Sequence, residues 1–291
     1  MNNPLKTSPN PNQPINYLAG IPILLLLAYC FYPTFAWMWE RWFARDSYYA
    51  HGLLIPIVSL YWLFRHRDKI AASYQENHPV WALGILLTAV AIQLFSSFFR
   101  VYFISCFAFV ILLLGITGYL LGSAVFKKTW YPLSFLFLMI PLPLIFIAHT
   151  TLQMKFFVSE IAVKMIGSTG IQAVREGSYI HMPNAVMMVG DPCSGLRSFL
   201  AFLCLGFVFA YESQVPVWKK WVIISAGLPL AILSNVVRVF ILGILAEIYG
   251  NEFIEGKVHD ASGVFVFILA LTLLLSLRRM LEKGNASEKI A

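Results

Sequence analysis

Long apolar runs, separated by short charged clusters or by Pro and Gly, dominate the hydrophobic pattern of the chain. A helix needs about 20 mostly apolar residues to cross the hydrocarbon core of a bilayer. Runs of this length predict an all-α fold, a polytopic membrane bundle of about eight transmembrane helices. The second run is short, and the seventh is long enough to tilt. The predicted spans are 16–39, 50–65, 79–98, 101–123, 129–149, 193–212, 217–248 and 261–281.

The distribution of Lys and Arg predicts the orientation. With this set of spans, most of these residues collect on one side of the membrane, and the fewer on the other side are interspersed with Glu and Asp. Because cytoplasmic loops carry the excess of Lys and Arg, both termini are expected in the cytoplasm. We therefore predict a single integral domain, 1–291, in the inner (plasma) membrane, with cytoplasmic tails at 1–15 and 282–291.

The segment 150–192 separates the fifth and sixth predicted spans and is expected outside the cytoplasm. Its first part, 151–166, has apolar residues at helical spacing with charges between them, which predicts a helix lying in the membrane interface. The second part, from Gly170 to Gly190, is rich in Gly, Val, Ile and Tyr and predicts a short hairpin. This second part is expected to cover the functional site.

Composition narrows the surroundings and the partners. The chain is 59% hydrophobic and 12% charged, too few polar groups to cover a water-soluble globule, so a lipid bilayer is the expected solvent. The net charge of +7 resides in short clusters between apolar runs, and we expect no nucleic-acid partner. Cys30, Cys106 and Cys204 lie inside apolar runs, where free cysteine behaves as a small hydrophobe, so no disulfide framework is expected.

Cys193 stands at the edge of the sixth predicted span, after Asp191 and a proline. Proline suits the first turn of a helix, and the unpaired N–H groups there favour a thiolate. The Ser194-Gly pair that follows allows close approach of another chain, and Arg197, one turn on, shares the face. Asp191, Ser194 and Arg197 are therefore candidate supporting or substrate-binding residues. An inert structural cysteine is the alternative interpretation of Cys193.

Arg238 lies inside the seventh predicted span, about three turns before Tyr249. A charge at such depth costs about 2.5 kcal/mol or more and usually faces the bundle interior or a water-filled cavity. Asn235, one turn earlier on the same face, is a candidate to orient the guanidinium. The alternative is an arginine paired with a carboxylate to hold two helices together.

His259 lies at the start of the last predicted span, where an imidazole can exchange protons with water and still reach into the bundle. Its usual pKa range suits general acid–base chemistry, and a helix-capping or interfacial histidine is the alternative. His51 is a second, weaker candidate on the same side of the membrane. With the predicted orientation, Cys193, Arg238 and His259 all face the outer leaflet.

Metal binding is an alternative role for these residues, because Cys, His and Asp all occur at the outer face. The sequence has no C-x-x-C, H-x-x-x-H or H-E-x-x-H spacing, although three ligands from scattered loops would escape such a search. We therefore predict no metal and no other cofactor.

Five motifs extend over most of the chain. They are Asp46 to His51-Gly52 followed by Leu-Leu-Ile-Pro at 53–56, Met-Ile-Pro-Leu-Pro at 139–143, Cys-Ser-Gly-Leu-Arg-Ser at 193–198, Ser-Asn-Val-Val-Arg-Val at 234–239, and His259 with Ser262-Gly263. In this order, with the cysteine, arginine and histidine each near a helix edge, they resemble the exosortase/archaeosortase family of integral membrane cysteine transpeptidases.

The resemblance implies a function. Cys193, Arg238 and His259 carry over as the catalytic residues of a membrane cysteine protease or transpeptidase. The implied substrates are exported, membrane-anchored proteins with a C-terminal sorting signal: a short motif such as Pro-Glu-Pro, a transmembrane helix and a basic cluster. Cleavage near the motif would form a thioester, and the cleaved protein would then be transferred to an acceptor. The transfer is implied by analogy with sortases, an analogy of chemistry and not of fold.

Two other functions stay open at this stage. In a transporter or lipid flippase, Arg238 would bind an anionic headgroup and the cysteine would be incidental, although the chain has no evident inverted repeat. In a membrane scaffold for polysaccharide export, the partners would be exopolysaccharide-assembly proteins, and Arg238 would serve assembly instead of turnover.

Overall fold

The computed structural model describes residues 17–45, 47–74 and 77–288, so the predicted tail 1–15 and Asp46 lie outside the described residues. Within these ranges the chain is mostly helical and has one small sheet. The helices are α1 Tyr17–Trp42, α2 Leu54–Arg65, α3 Arg67–Ala71, α4 Val80–Phe99, α5 Tyr102–Leu121, α6 Ser123–Phe135, α7 Leu144–Ser168, α8 Leu196–Glu212, α9 Val217–Ser225, α10 Gly227–Tyr249, α11 Asn251–Ile254 and α12 Lys257–Glu288.

Several helices of the described chain are long and apolar enough to cross a membrane. Four segments meet this standard: α4, α5, α9 with α10, and α12 from Lys257 to Gly284. A fifth is added if α6 and α7 form one bent span. The protein is therefore a multi-pass membrane protein. Of the eight predicted spans, four or five correspond to described helices that are long and apolar enough to cross a membrane. α2 and α8, with 12 and 17 residues, are shorter.

The predicted fifth span, 129–149, is wrong as a continuous helix. The chain leaves α6 through a short 3-10 turn, becomes extended at Ile140, and starts α7 only after Pro143. Proline lacks an N–H group and pushes the residue before it out of the helical region, so the prolines at 141 and 143 break the helix. The two halves differ in direction by 80°. The predicted helix 151–166 is confirmed as helical, but it is the second part of α7.

The predicted hairpin of 170–190 is wrong in its number of strands. Three antiparallel strands form a sheet in the order β1 (Val174–Glu176), β2 (Tyr179–His181) and β3 (Val186–Met188). Gly177 has a φ of +60°, the left-handed conformation that the tight β1–β2 turn needs. Ile180 is fully buried and belongs to the same apolar core as α7 and α10.

α10 is the helix around which the rest of this region is organised. It packs against α12, α7 and α8 and also contacts β3 and the turn before α8. The shared core contains Val158 and Ile166 of α7 and Val239 and Leu242 of α10, and Cys193 is part of it. Polar residues on this face of α10 are therefore placed among elements distant in sequence. This arrangement positions the candidate site.

Candidate active site

Cys193 ends a 3-10 turn, Asp191–Cys193, between β3 and α8, and its side chain is 5% exposed. Its N–H donates to the carbonyl of Gly190 over 3.0 Å. Its carbonyl accepts a 2.5 Å hydrogen bond from Nδ2 of the buried Asn235 on α10. Gly195 has a φ of +82°, and a Cβ there would lie 3.2 Å from Cβ of Asn235. The turn is therefore held tightly against α10.

The thiol of Cys193 contacts the imidazole of His259. Sγ lies 2.9 Å from Nε2, although the two residues are 66 positions apart. His259 is in the first turn of α12, with a side chain 28% exposed. Nδ1 is 3.7 Å from a carboxylate oxygen of Asp260, which is itself 85% exposed. The pair has the geometry of a nucleophile beside its base, with the imidazole still open to water.

Arg238 comes to the same place from the middle of α10, where it is 8% exposed. Its Nη2 donates to the His259 carbonyl over 2.8 Å and lies 3.3 Å from each ring nitrogen. Its Nε donates to Oγ of Ser262 over 3.1 Å, and that hydroxyl donates to the His259 carbonyl over 2.6 Å. The guanidinium thus ties α10 to the first turn of α12 directly beside the thiol–imidazole pair.

Residues 39–276 match the family model described as transmembrane exosortase (Exosortase_EpsH). The chain belongs to the transmembrane exosortase family. The matched range contains Cys193, Arg238 and His259. No curated protein and no solved structure matches the chain.

The glycine of the exosortase's Ser-Gly pair in α12 has a steric role. A Cβ at Gly263 would lie 3.1 Å from Nη2 and 3.2 Å from Cζ of Arg238. Such a contact is closer than most side chains tolerate, so a larger residue would displace the guanidinium. Gly263 was not among the candidate site residues, yet its place four residues after His259, on the same face of α12, was a usable signal.

Burial raises the pKa of the Cys193 thiol, whereas the sequence predicted an environment that favours the thiolate. Cys193 precedes α8 and lies outside the helices, and burial raises the pKa of its thiol, while the charges of Arg238 and Lys155 act to lower it. Burial is the larger influence. A helix N-terminus does not dominate here, because Gly195 and not Cys193 caps α8. Burial of Cys193 in this exosortase therefore favours the neutral thiol over the thiolate.

Sequence reasoning treated Lys155 only as a topology charge. In the structure it lies on α7 with a side chain 17% exposed, and its ammonium pairs with the carboxylate of Asp191. The ion pair links α7 to the turn that carries Cys193. The sequence contained one indication that Lys155 is not simply a surface charge. Two phenylalanines follow it directly, on a helix whose other face is buried.

The other predicted supporting residues take different places. Ser194 is fully buried, and its Oγ accepts the N–H of Leu196 over 3.3 Å, so it shapes the turn. Arg197 is exposed, with its guanidinium over the ring of Tyr48. His51 lies beside the ring of Tyr49, and no contact between described residues joins His51 to the thiol, the guanidinium or the imidazole of the site.

A cavity of about 460 Å³ opens in front of the thiol. Its walls come from three parts of the exosortase: β3 with Val189, the neighbouring face of α10, and the segment from α11 to the start of α12. Its size is in the range of cavities that bind small ligands or short peptide segments. In the part of the chain that the structure describes, no group of three His, Cys, Asp or Glu side chains could hold a metal ion. The residues that face this cavity include Met188, Cys193, Leu242, Asn251, Glu255 and His259.

Proposed function

We propose that this exosortase is a membrane cysteine transpeptidase in which Cys193 is the nucleophile, His259 the general base and acid, and Arg238 the electrostatic stabiliser. The observation that carries the proposal is the contact of 2.9 Å between Sγ and Nε2, with the guanidinium 3.3 Å from the same ring. A thiol beside a base, with a cation in contact with that base, is a constellation suited to acyl transfer.

The first step forms a bond between sulfur and the substrate carbonyl carbon. Nε2 of His259 accepts the thiol proton as Sγ attacks, and the carbonyl π electrons move onto oxygen. Arg238 stabilises that negative charge, a role in which the loss of one donor typically costs about 10²–10³-fold in rate. Partial exclusion of water around the guanidinium strengthens the interaction.

The second step breaks the peptide C–N bond. The oxyanion collapses, the electron pair of the C–N bond goes to nitrogen, and the imidazolium of His259 gives its proton to the leaving amine. The substrate is then held as a thioester on Cys193. An amine acceptor or water attacks the thioester carbonyl carbon and loses a proton to the imidazole. The C–S bond then breaks, its electron pair goes to sulfur, and the imidazolium gives its proton to the sulfur, which restores the resting thiol.

The substrates are exported proteins with a C-terminal sorting signal, consisting of a Pro-Glu-Pro-like motif, a transmembrane helix and a basic cluster. In this proposal the exosortase crosses the inner (plasma) membrane eight times. Both termini lie in the cytoplasm, and the site faces the outside of that membrane. The positive-inside rule then aligns enzyme and substrate, because the basic cluster stays in the cytoplasm while the motif reaches the site.

Mass spectrometry of a co-expressed reporter tests the proposal. The reporter carries the three-part sorting signal, and its C-terminus is compared in cells with the wild-type exosortase, with Cys193→Ala, and with Cys30→Ala as the matched control. Cys30 is an exposed thiol on α1. We expect a shortened C-terminus with wild type and Cys30→Ala and an intact one with Cys193→Ala. Full processing by Cys193→Ala would remove the thioester from the mechanism.

A further inference from the structure

One edge of the small sheet borders the cavity that contains the thiol. β3 is an edge strand, because the order of the sheet is β1-β2-β3. Val186, Met187, Met188 and Val189 all line the cavity together with Cys193 and His259. Unpaired N–H and C=O groups at a strand edge are a template for another extended chain.

The hydrogen-bond pattern shows which residues of β3 turn their backbone groups away from the sheet. The N–H of Val189 donates to the carbonyl of Ser178, and the N–H of Met182 donates to the carbonyl of Ala185. Hydrogen-bonded pairs alternate along an antiparallel ladder, so Met187 and Ile180 form the next such pair. Val186 and Met188 therefore direct their N–H and C=O groups to the open edge.

The open edge is short and lies next to the thiol. Nδ2 of Asn251 donates to the carbonyl of Val186 over 3.1 Å, which closes the edge at that end. At Met188, no contact between described residues engages the N–H or the C=O. Two residues further on, Gly190 accepts the N–H of Cys193, so the chain turns at once to bring the sulfur to the end of the strand.

We propose that an extended segment of the polypeptide substrate pairs with the open edge of β3, exchanging two backbone hydrogen bonds with Met188 and so placing its scissile carbonyl at Cys193. This inference rests on the proposed function. Adding a strand to a sheet edge is a recurring way to bind extended peptides, with affinity from the main chain and specificity from alternate side chains. The occupant is a polypeptide, because an extended amide backbone supplies one donor and one acceptor per residue, the pair that Met188 leaves open.

The pairing contacts do not depend on the side chain of the substrate residue opposite Met188. Met188 reads backbone groups that every residue except proline carries in full. Side chains of a paired strand alternate between two faces, so every second substrate residue would face the cavity wall formed by Leu242 and Glu255. A proline in the substrate therefore cannot occupy the position whose N–H pairs with Met188.

Substitutions at Met188 separate its backbone from its side chain. Met188→Pro removes the outward N–H, and an edge strand tolerates proline at such a position. Met188→Ala keeps the N–H and removes an exposed side chain. We expect Met188→Pro to process the reporter about tenfold less than Met188→Ala, the effect of one lost hydrogen bond, because the two variants lack the same side chain and differ in the N–H. Equal processing by the two variants would overturn the inference.

Arg175 on β1 offers the matched control. It occupies the non-hydrogen-bonded position opposite Ile180, so its backbone groups face the other edge of the sheet, away from β3. Arg175→Ala loses the ion pair with Glu160, and Arg175→Pro loses in addition one outward N–H. The two Arg175 variants should process the reporter equally. A tenfold difference between them would mean that proline acts through sheet stability, and the inference would fall.

Disulfide trapping measures the pairing without turnover. In a chain with Cys30→Ala and Cys193→Ala, Met188→Cys is combined with a scan of single cysteines through the motif of the reporter. Directly paired residues have Cα atoms about 5.5 Å apart, within disulfide reach. We expect one strong position, weaker neighbours two residues away, and no such profile with Arg175→Cys. A flat profile at Met188→Cys would overturn the pairing even if Met188→Pro fails to fold.

The outcomes also separate the two proposals. Wild-type processing that survives Met188→Pro unchanged removes the strand pairing and leaves the thioester mechanism standing. Processing that survives Cys193→Ala, or a wild-type chain that processes no reporter, removes the proposed function and with it the strand pairing.

Discussion

Two of the cavities formed by the described residues have a cysteine among their lining residues and an arginine in the lining or close to it. The first is the candidate site, with Cys193, and the second, of about 310 Å³, is lined by Cys30, Gln93, Ser105 and Arg100 between α1, α4 and α5. In the second cavity the polar groups satisfy one another. Thr34 bonds Ser105 over 2.5 Å, Ser105 donates to Oε1 of Gln93 over 2.7 Å, and Nε2 of Gln93 donates to the Cys30 carbonyl over 3.1 Å.

The difference lies in what stands next to the sulfur. Cys193 contacts an imidazole that a guanidinium contacts in turn, whereas the described residues that line the second cavity include no histidine. The neutral hydroxyl–amide chain of the second cavity is typical of polar contacts that join membrane helices. A thiol with a cation nearby is therefore not enough to indicate catalysis, and a base in contact with the sulfur is the feature that distinguishes the site.

The largest effect is expected from removal of that base. His259→Ala should lower reporter processing by about 10²–10⁴-fold, because the neutral buried thiol loses its proton acceptor. His51→Ala is the control, since His51 lies beside Tyr49 and has no described contact with the site. It should stay within about threefold of wild type. Retained processing by His259→Ala would show that the contact between His259 and the sulfur does not distinguish the site from the second cavity.

Removal of the cation should have the next largest effect. Arg238→Ala is expected to lower processing by about 10²–10³-fold, and Arg238→Lys to recover only part of it, because an ammonium cannot reproduce the contacts of Nε and Nη2. Arg100→Ala, in the second cavity, should leave processing unchanged. Comparable losses at Arg238 and Arg100 would show that both arginines act through folding.

A smaller effect, on ionisation, is expected at Lys155. The pKa of the Cys193 thiol lies above its ordinary value, so alkylation by iodoacetamide should be slow near neutral pH and rise as pH increases through that raised pKa. Lys155 acts to lower this pKa, so Lys155→Met should move the alkylation profile to higher pH. A shift to lower pH would mean that the ammonium does not favour the thiolate. Stopped alkylation followed by mass spectrometry gives the profile.

The smallest effect on activity is expected in the hydroxyl–amide chain. Ser105→Ala should leave processing unchanged and reduce the free energy of unfolding by about 0.6 kcal/mol per lost hydrogen bond, the average found between membrane helices. Unfolding of the purified protein in detergent and reporter processing are measured on the same sample. A loss of processing larger than the loss of folded protein would give the second cavity a functional role.

Sequence patterns predicted the apolar helices and the three residues that meet at the site, but not the small features that position them. The length of the apolar run does not reveal the break between Ile140 and Pro143. The run continues through this segment, but two prolines interrupt the helix. The strands of the sheet have three residues each, too short for alternation to distinguish a hairpin from three strands.

The ionisation of the thiol was beyond sequence reasoning for a different reason. A cysteine near a predicted helix start favours the thiolate only if its sulfur lies at the helix end, and here Gly195 separates Cys193 from α8. Burial, which decides the direction, depends on α7, α10 and the sheet meeting around one side chain. This packing depends on the tertiary structure, whereas the nearby proline and glycine signals can be recognised in the local sequence.

Trapping the acyl-enzyme is the most direct measurement. The exosortase is isolated from cells that express the reporter, separated quickly under denaturing conditions, and its mass determined before and after hydroxylamine, which cleaves thioesters. We predict an adduct with the mass of the shortened reporter on wild type, located at Cys193 and released by hydroxylamine. A shortened reporter with no such adduct, or the same adduct on Cys193→Ala, would contradict a thioester at this residue.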